Sequence, residues 1–440
     1  MPRLTVPPNF IGTSDIDTLV AEESNASVAI GINILNPGVI STFSGNDSIT
    51  GKATGTATFS KFSKAGTGIG INNSGSLNAG SGSDTITGTG IGANFSKNSK
   101  GVIIGSIFGG GTAGGTGTGI SNSGSFDAAE GNDIITGTGN GGSGASGGGI
   151  TGKGGKGGTG TGISNSSSFD VGDGNDTITG TGTGGTGGEG SIIGATASIP
   201  PSIIRGESGD GGAGIGISNS DKLNTGKGED TLIGTGTAGS NNKTGRKSST
   251  GGTGIGIQNV KKAIITTGEN NDRITGSANS LEANTLAYGI FNDGIIDTGN
   301  GHDILTGQAT TTIGGTAYGI YGQGIIRTGD GNDKVTATSN IDKVQQKVTI
   351  GGGIRFELGT GDDYFKGFGS AIVDGGNGFD TLDVSAFKRS EVSVSGVISG
   401  NSLNPANITF NNNGNLITLS TTGFENFIFA NSSFSYSNLN

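Results

Sequence analysis

The sequence predicts an all-β fold: a right-handed parallel β-helix or β-roll solenoid with a small C-terminal β cap. Three observations carry that prediction. A glycine-punctuated acidic loop ending in aspartate recurs at Asp17, Asp47, Asp84, Asp133, Asp176, Asp230, Asp272, Asp303, Asp333, Asp363 and Asp380. The residue seven before each aspartate and the residue two after it are apolar in every copy, as Ile296 and Leu305 are around Asp303, although hydrophobic residues make up only 30% of the chain. Glycine supplies 95 of the 440 residues, with no Trp, no Cys and one Met, which argues against a globular core of large side chains.

The repeated unit explains each element in turn. Thirteen residues before the aspartate a third apolar position holds Leu4, Ile34, Ile71, Ile120, Ile163, Ile217, Ile290, Ile320 and Ile350; around Asp272 it is Ile257, shifted by two through a local insertion. Three short apolar stretches separated by Gly, Asn or Asp turns make one turn of a three-sided solenoid. A single unit cannot bury its own apolar face, so the units stack, and residues 1–384 are expected to form about eleven coils. Eleven residues before the aspartate, Asn36, Asn73, Asn122, Asn165, Asn219 and Asn292 share one register and predict an amide ladder along the axis.

The basic coil is 30 residues long, and longer steps contain glycine-rich segments such as 90–117 and 139–160. These follow the TGTG stretch and are expected to project as loops from one edge. Closing a longer loop costs only ~0.6 kcal/mol per doubling of length, so they read as tolerated spacers. Residues 385–440 have no acidic glycine loop and alternate as strands, with NNNGN before NLITLS reading as a hairpin turn; they are expected to cap the last open edge.

Composition restricts function. A net charge of −10 without basic clusters disfavours nucleic acid and anionic membrane as partners and suits a cation. No stretch approaches the ~20 apolar residues that span a bilayer, and MPRLTVPPNFIG lacks the charged start and apolar run of a cleavable signal peptide. The missing Cys leaves the redox compartment open. Matches to G-x-G-x-x-G and the fragment around Lys153 are expected by accident at this glycine content, and Gly154 follows Lys153 where a phosphate-binding loop needs Ser or Thr. With His302 the only histidine, no catalytic residue is assigned and no enzyme activity is expected.

The chemistry lies in the loops. Seven have the form xGxGxD: AGSGSD, VGDGND, TGKGED, TGNGHD, TGDGND, LGTGDD and GGNGFD. Alternating glycines let successive carbonyls turn toward one point. Those carbonyls plus a carboxylate are the hard oxygen donors that Ca²⁺ takes at a coordination number of about 6–8. Stacked ~4.8 Å apart, the aspartates form a column of like charges, unfavourable by ~1 kcal/mol per pair even in water. Calcium is therefore expected as a structural cofactor between successive loops. The candidate metal residues are Asp47, Asp84, Asp133, Asp176, Asp230, Asp272, Asp303, Asp333, Asp363 and Asp380, with Gly82, Gly174, Gly228, Gly301, Gly331, Gly361 and Gly378. The loops before Asp47 and Asp133 have lost a glycine, Asn270 replaces one before Asp272, and Asp17 keeps little of the motif.

Taken with the strand that follows, as in GDGNDTITG (172–180), GNGHDILTG (299–307) and GGNGFDTLD (375–383), these loops resemble the nonapeptide of the RTX, or haemolysin-type, calcium-binding proteins. The resemblance implies Ca²⁺ held between stacked loops, export by a type I system and folding outside the cell. Its calcium-ligating aspartate corresponds to Asp84, Asp176, Asp230, Asp303, Asp333, Asp363 and Asp380, and DTLDVSAF and TTGFENFIFA look like segments near the family's uncleaved export signal. One loop per coil of thirty or more residues departs from the family's consecutive nonapeptides, so one calcium column is expected, best formed around Asp303, Asp333 and Asp363 and weakest toward Asp17. The expected function is a secreted calcium-binding solenoid with a structural, cell-surface or extracellular-matrix role. Threonines three and five after the aspartate, such as Thr87, Thr89, Thr136, Thr138, Thr179, Thr181, Thr336 and Thr338, are expected to face outward, interrupted at Lys52, Ile233 and Gln308. They keep open an adhesin, or a binder of ice, surface polysaccharide or another extracellular surface; a carbohydrate-active β-helix enzyme is the remaining alternative.

Overall fold

The computed structural model describes residues 2–57, 65–95, 110–148, 152–194, 203–241, 249–398, 402 and 404–439. Among them there is no α-helix, and parallel strands wind into one long solenoid. Three runs of strands line its sides. The run after each aspartate includes Thr85–Ile91, Ile134–Asn140, Thr177–Thr183, Thr231–Thr237 and Ile304–Thr311. The second includes Thr67–Asn73, Gly117–Asn122, Gly160–Asn165 and Leu286–Asn292, and the third is of short strands such as Ser125–Asp127 and Ile295–Asp297.

Parallel pairing keeps like above like. Ile86, Ile135, Ile178 and Leu232 stack in one column, Ile71, Ile120, Ile163 and Ile217 in a second, and Leu77, Phe126, Phe169 and Leu223 in a third. All are buried in a single continuous core, where the Phe126 and Phe169 rings stack at 4.0 Å. Each such side chain contributes about 1.5–3 kcal/mol by leaving water. The amide ladder runs beside them, with Asn73 Nδ2 donating to Asn122 Oδ1 at 2.9 Å and each next asparagine continuing to Asn292.

Register corrects the assignments of Ile34 and Asn36 and bears out the shift of two at Ile257. Ile32, not Ile34, pairs with Ile71, and Ile34 lies opposite Asn73; Asn36 is therefore outside the ladder, in the turn that carries Pro37. Ile257 pairs with Ile217 and Ile290, which brings Asn259 into the ladder, and the extra residues form the turn at Val260–Ala263, with Lys262 at φ 74°. Both coils carry a longer second turn, which shifts the count from the aspartate without moving the stack.

Glycine shapes the cross-section. Beyond the three-column core, the inward positions of the first two runs are glycines, and the sheets meet backbone to backbone. A Cβ on Gly137 would lie 2.4 Å from the Gly162 carbonyl oxygen. Toward the C-terminus the same layer contains Ala278, Ala287, Ala309 and Ala317, a second small apolar cluster.

The glycine-rich insertions do leave from one corner, but they are not simple spacers. Their described parts are extended arms with a G-G-x period, as in Gly184–Gly185–Thr186–Gly187–Gly188–Glu189. The first glycine of a triplet donates to the next insertion, Gly187 to Ser240 at 2.9 Å, and the second donates across the layer, Gly188 to Gly155 at 2.7 Å. A Cβ on Gly185 would lie 1.9 Å from the Gly142 carbonyl, so only glycine allows the arms to touch. The insertion tips at 96–109 and 195–202 lie outside the described residues.

At the C-terminal end Ala371 pairs with Leu419 and Leu382 with Phe427 in parallel, and antiparallel strands then close the edge. The hairpin turn falls at Asn413 (φ 53°) and Gly414 (φ 92°).

Candidate metal centre

Each loop aspartate sits where the third side of a coil turns into the first, and it is held by the coil before it. The backbone N–H of Asp303 donates to Asp333 Oδ1 at 2.8 Å, that of Asp333 to Asp363 Oδ1 at 2.7 Å, and the same bond repeats from Asp17 to Asp380. All ten candidate aspartates thus share one column. Asp17 begins it and is different: its Oδ2 accepts from Thr13 N–H at 2.7 Å.

The second oxygen defines the site. Oδ2 of Asp47, Asp84, Asp133, Asp176, Asp272, Asp303, Asp333, Asp363 and Asp380 is buried with no hydrogen-bond partner among the described residues. Only Asp230 escapes, because the Thr225 hydroxyl donates to it at 2.5 Å. Thr267, Thr298 and Thr328 occupy the equivalent place five residues before Asp272, Asp303 and Asp333, but their hydroxyls bond the carbonyls of Thr298, Thr328 and Leu358. At Asp84, Asp133, Asp176 and Asp363 that place is Ala79, Ala128, Val171 and Leu358, with nothing to donate.

Burial pushes the carboxyls of Asp84, Asp133, Asp176, Asp230, Asp272, Asp303, Asp333, Asp363 and Asp380 well above their usual range, the first cause for each of them. Asp176 and Asp272 rise to about 8, Asp84 and Asp363 to about 7, and Asp133, Asp230, Asp333 and Asp380 to about 6. The backbone N–H from the preceding aspartate partly opposes the rise, while neighbouring aspartates add to it at Asp84, Asp176, Asp272 and Asp363.

The candidate glycines two before the aspartate hold the loop's shape. Gly82, Gly174, Gly228, Gly301, Gly331, Gly361 and Gly378 lie between φ 131° and 153°, and a Cβ on Gly331 would be 1.7 Å from the Gly301 carbonyl oxygen. The degraded loops keep positive φ without glycine, at Phe43 (65°), Ala129 (68°) and Asn270 (81°).

Loop carbonyls are divided between two uses. The carbonyl four before the aspartate accepts from the next coil, Thr360 N–H to Gly329 at 2.9 Å, and the one three before accepts from the previous coil, Gly331 N–H to Thr360 at 2.7 Å. The carbonyl two before, as at Gly301, accepts no hydrogen bond among the described residues and faces the next coil. No three acidic or His side chains converge on one point among the described residues. A cation here would thus be held by one carboxylate per coil together with backbone carbonyls. The unsatisfied Oδ2 atoms and free carbonyls fit such a hard ion.

Two features escaped the sequence reading. Glu425 ends the column, its Oε2 accepting from Asp380 N–H at 2.8 Å; the signal was GFEN, which parallels GFDT at Asp380. A second ladder runs outside the first through the residue before each aspartate: Asn175 N–H to Asn132 Oδ1 at 2.7 Å, Asn332 N–H to His302 Nδ1 at 2.7 Å, Asp362 N–H to Asn332 Oδ1 at 2.8 Å. The recurring G-N-D spelled it, and it gives His302 a structural task.

Comparison with protein-family models, with curated proteins and with solved structures finds no match, so the parallel β-solenoid with its column of buried aspartates stands on this chain's own residues.

Proposed function

We propose that the chain is a calcium-binding solenoid of the RTX kind, exported and folded outside the cell, where it serves as a structural or surface-associated protein. The observation that carries the metal reading is the row of buried Oδ2 atoms without a donor. An unpaired buried carboxylate is costly, and a divalent cation shared between coils offsets that cost along the whole column. Export and extracellular placement rest on the resemblance of the loops and of residues 385–440 to that family, and Ca²⁺ at extracellular levels suits modules with Kd of about 10⁻⁴–10⁻³ M.

The proposed role is binding rather than catalysis. In the cavity of about 300 Å³ beside Lys347, Thr349, Lys366 and Asp383 each charge has a partner: Asp383 accepts from Lys366 Nζ at 2.8 Å and from the Tyr364 hydroxyl, and Lys347 Nζ donates to Glu391 at 2.8 Å.

The test is a calcium titration of the full chain, followed by calorimetry and circular dichroism. Calcium is expected to bind in the millimolar range or tighter and to raise Tm. Equal Tm in chelator and in 10-fold excess of that calcium, at pH 8, would sink the metal reading.

A further inference from the structure

The strands Thr85–Ile91, Ile134–Asn140, Thr177–Thr183 and Thr231–Thr237 pair in parallel without a bulge through all seven positions. Their outward residues form a two-dimensional lattice, and Ile91, Ile134, Asn140 and Ile233 are its only departures from threonine. The column Thr89, Thr138, Thr181, Thr235 is unbroken, and each member is partly exposed. Spacing is ~4.8 Å between coils and ~6.6 Å between alternate residues of a strand.

The lattice does not stop at the strands. The first triplets of the glycine arms continue it, with Ser143 N–H donating to Asn94 Oδ1 at 2.8 Å and Thr186 Oγ1 lying 3.3 Å from Ser240 Oγ. No charged residue occurs in 85–95, 134–148, 177–188 or 231–241. Charge resumes just outside: the Glu22–Lys52 pair lies on earlier coils, Arg273 on the next, and the ion pairs Lys153–Glu207 and Lys156–Asp210 on the returning arms.

These properties select a partner. A protein interface would centre on aromatic or Arg anchors, and among the described residues this face exposes none. Nucleic acid needs cations. A single glycan chain would be gripped in a groove or stacked on exposed rings, and the lattice supplies neither. What remains is a surface that is itself uncharged, repeats in two dimensions and offers hydrogen-bond donors and acceptors at every lattice point. Each threonine contributes one hydroxyl that donates and accepts beside a methyl group, on a side chain that is stiff at χ1. The backbone contact beneath, where a Cβ on Gly182 would sit 2.0 Å from the Ile215 carbonyl, keeps the array rigid.

We propose that this threonine lattice, extended by the row on the glycine arms, binds the surface of ice crystals. The proposal does not rest on the metal reading, because the strands present the same lattice whether or not the loops hold an ion.

The test uses the full chain in millimolar Ca²⁺, with thermal hysteresis and partition into a growing ice hemisphere as readouts and circular dichroism as a control for folding. The folded protein is expected to enter the ice and to give measurable hysteresis. T138K/T181K, at the lattice centre, should lose at least 10-fold, whereas T161K on the opposite side of the solenoid should match the parent. Should the lysine variants unfold, T138S/T181S removes only methyl groups and is expected to at least halve the hysteresis. Exclusion of the folded parent from ice, or equal activity in the folded central variants, overturns the proposal. Exclusion from ice with retention on crystalline cellulose or chitin also overturns it and reassigns the face to polysaccharide.

Discussion

The coils between Thr85 and Thr237 and those between Arg273 and Ile341 share their columns of isoleucine, asparagine and aspartate, yet are built differently around them. In the first region the inward layer beyond the core is glycine, the sheets touch, and arms extend the contact outward. In the second, Gly276, Gly289, Gly307 and Gly319 keep that contact next to the core, Ala278, Ala287, Ala309 and Ala317 fill the layer beyond it, insertions are absent, and the outer face carries Tyr288, Phe291, Tyr318 and Tyr321, with Tyr288 and Tyr321 rings 5.0 Å apart. Both regions share backbone contact beside the core; one continues it outward through glycine and the other replaces it there with alanine side chains. A single repeat therefore tolerates two solutions for the same corner, provided each is internally consistent.

The sharpest way to break this comparison is to exchange the inward residue. Gly182, Gly236, Ala278 and Ala309 share one column. Gly182→Ala forces a methyl to within 2.0 Å of the Ile215 carbonyl and 2.5 Å of its nitrogen, so the sheets must part. A loss of about 3 kcal/mol or more is expected. Ala309→Gly removes one buried methyl and should cost only about 1 kcal/mol. Urea unfolding of both variants checks the pair; similar losses would mean that the glycine layer is not under contact.

A second prediction concerns pH. The unfolded aspartates titrate near 3.8, and in the folded chain Asp176 and Asp272 are raised to about 8, Asp84 and Asp363 to about 7. A raised folded value means that stability is fully present below about 3.8 and is lost as pH climbs through 7–8. In chelator, Tm should accordingly fall from pH 4.5 to pH 8, and calcium should flatten that slope by replacing the proton. Asp176→Asn keeps an acceptor for the Asp133 N–H and removes the buried charge; it is expected to raise the metal-free Tm at pH 8 by a few degrees and to shrink the calcium increment. A chelated parent whose Tm rises over this range would contradict the argument.

How far the sequence reached follows from what side chains can signal. Apolar residues at fixed offsets from an aspartate encode both the stack and the column, and the structure places Phe126 on Phe169 and Ile296 on Ile326 accordingly. Turn length is not encoded in that way. Ile32 and Ile34 are both apolar, so hydrophobicity could not choose between registers until Asn73 was seen opposite Ile34. The arms stayed hidden because their order comes from backbone hydrogen bonds between glycines, as from Gly212 to Gly185 at 2.8 Å, and glycine pairs mark flexible linkers equally well. Glu425 escaped because no glycine loop announces it. The loops were legible as a metal-type motif, but not the two-way use of their carbonyls, which only the neighbouring coils define.

The smallest predicted effect separates the two regions at the column itself. Thr298 and Thr328 place hydroxyl oxygens beside Asp303 and Asp333, whereas Ala79 and Ala128 leave Asp84 and Asp133 beside methyl groups. An extra hard oxygen favours a hard cation. Thr328→Val, close to isosteric, should weaken calcium binding at the adjoining coils a few-fold with little change in the metal-free fold, because the lost hydroxyl bond to Leu358 O is worth only about 1 kcal/mol. Ala128→Thr should tighten binding near Asp133 by a similar factor, with the added hydroxyl turned to a carbonyl of the next coil as that of Thr328 is. Competitive titration with a calcium chelator measures both. If the two substitutions shift affinity in the same direction, the residue five before the aspartate does not tune the column, and the difference between the regions is confined to their packing.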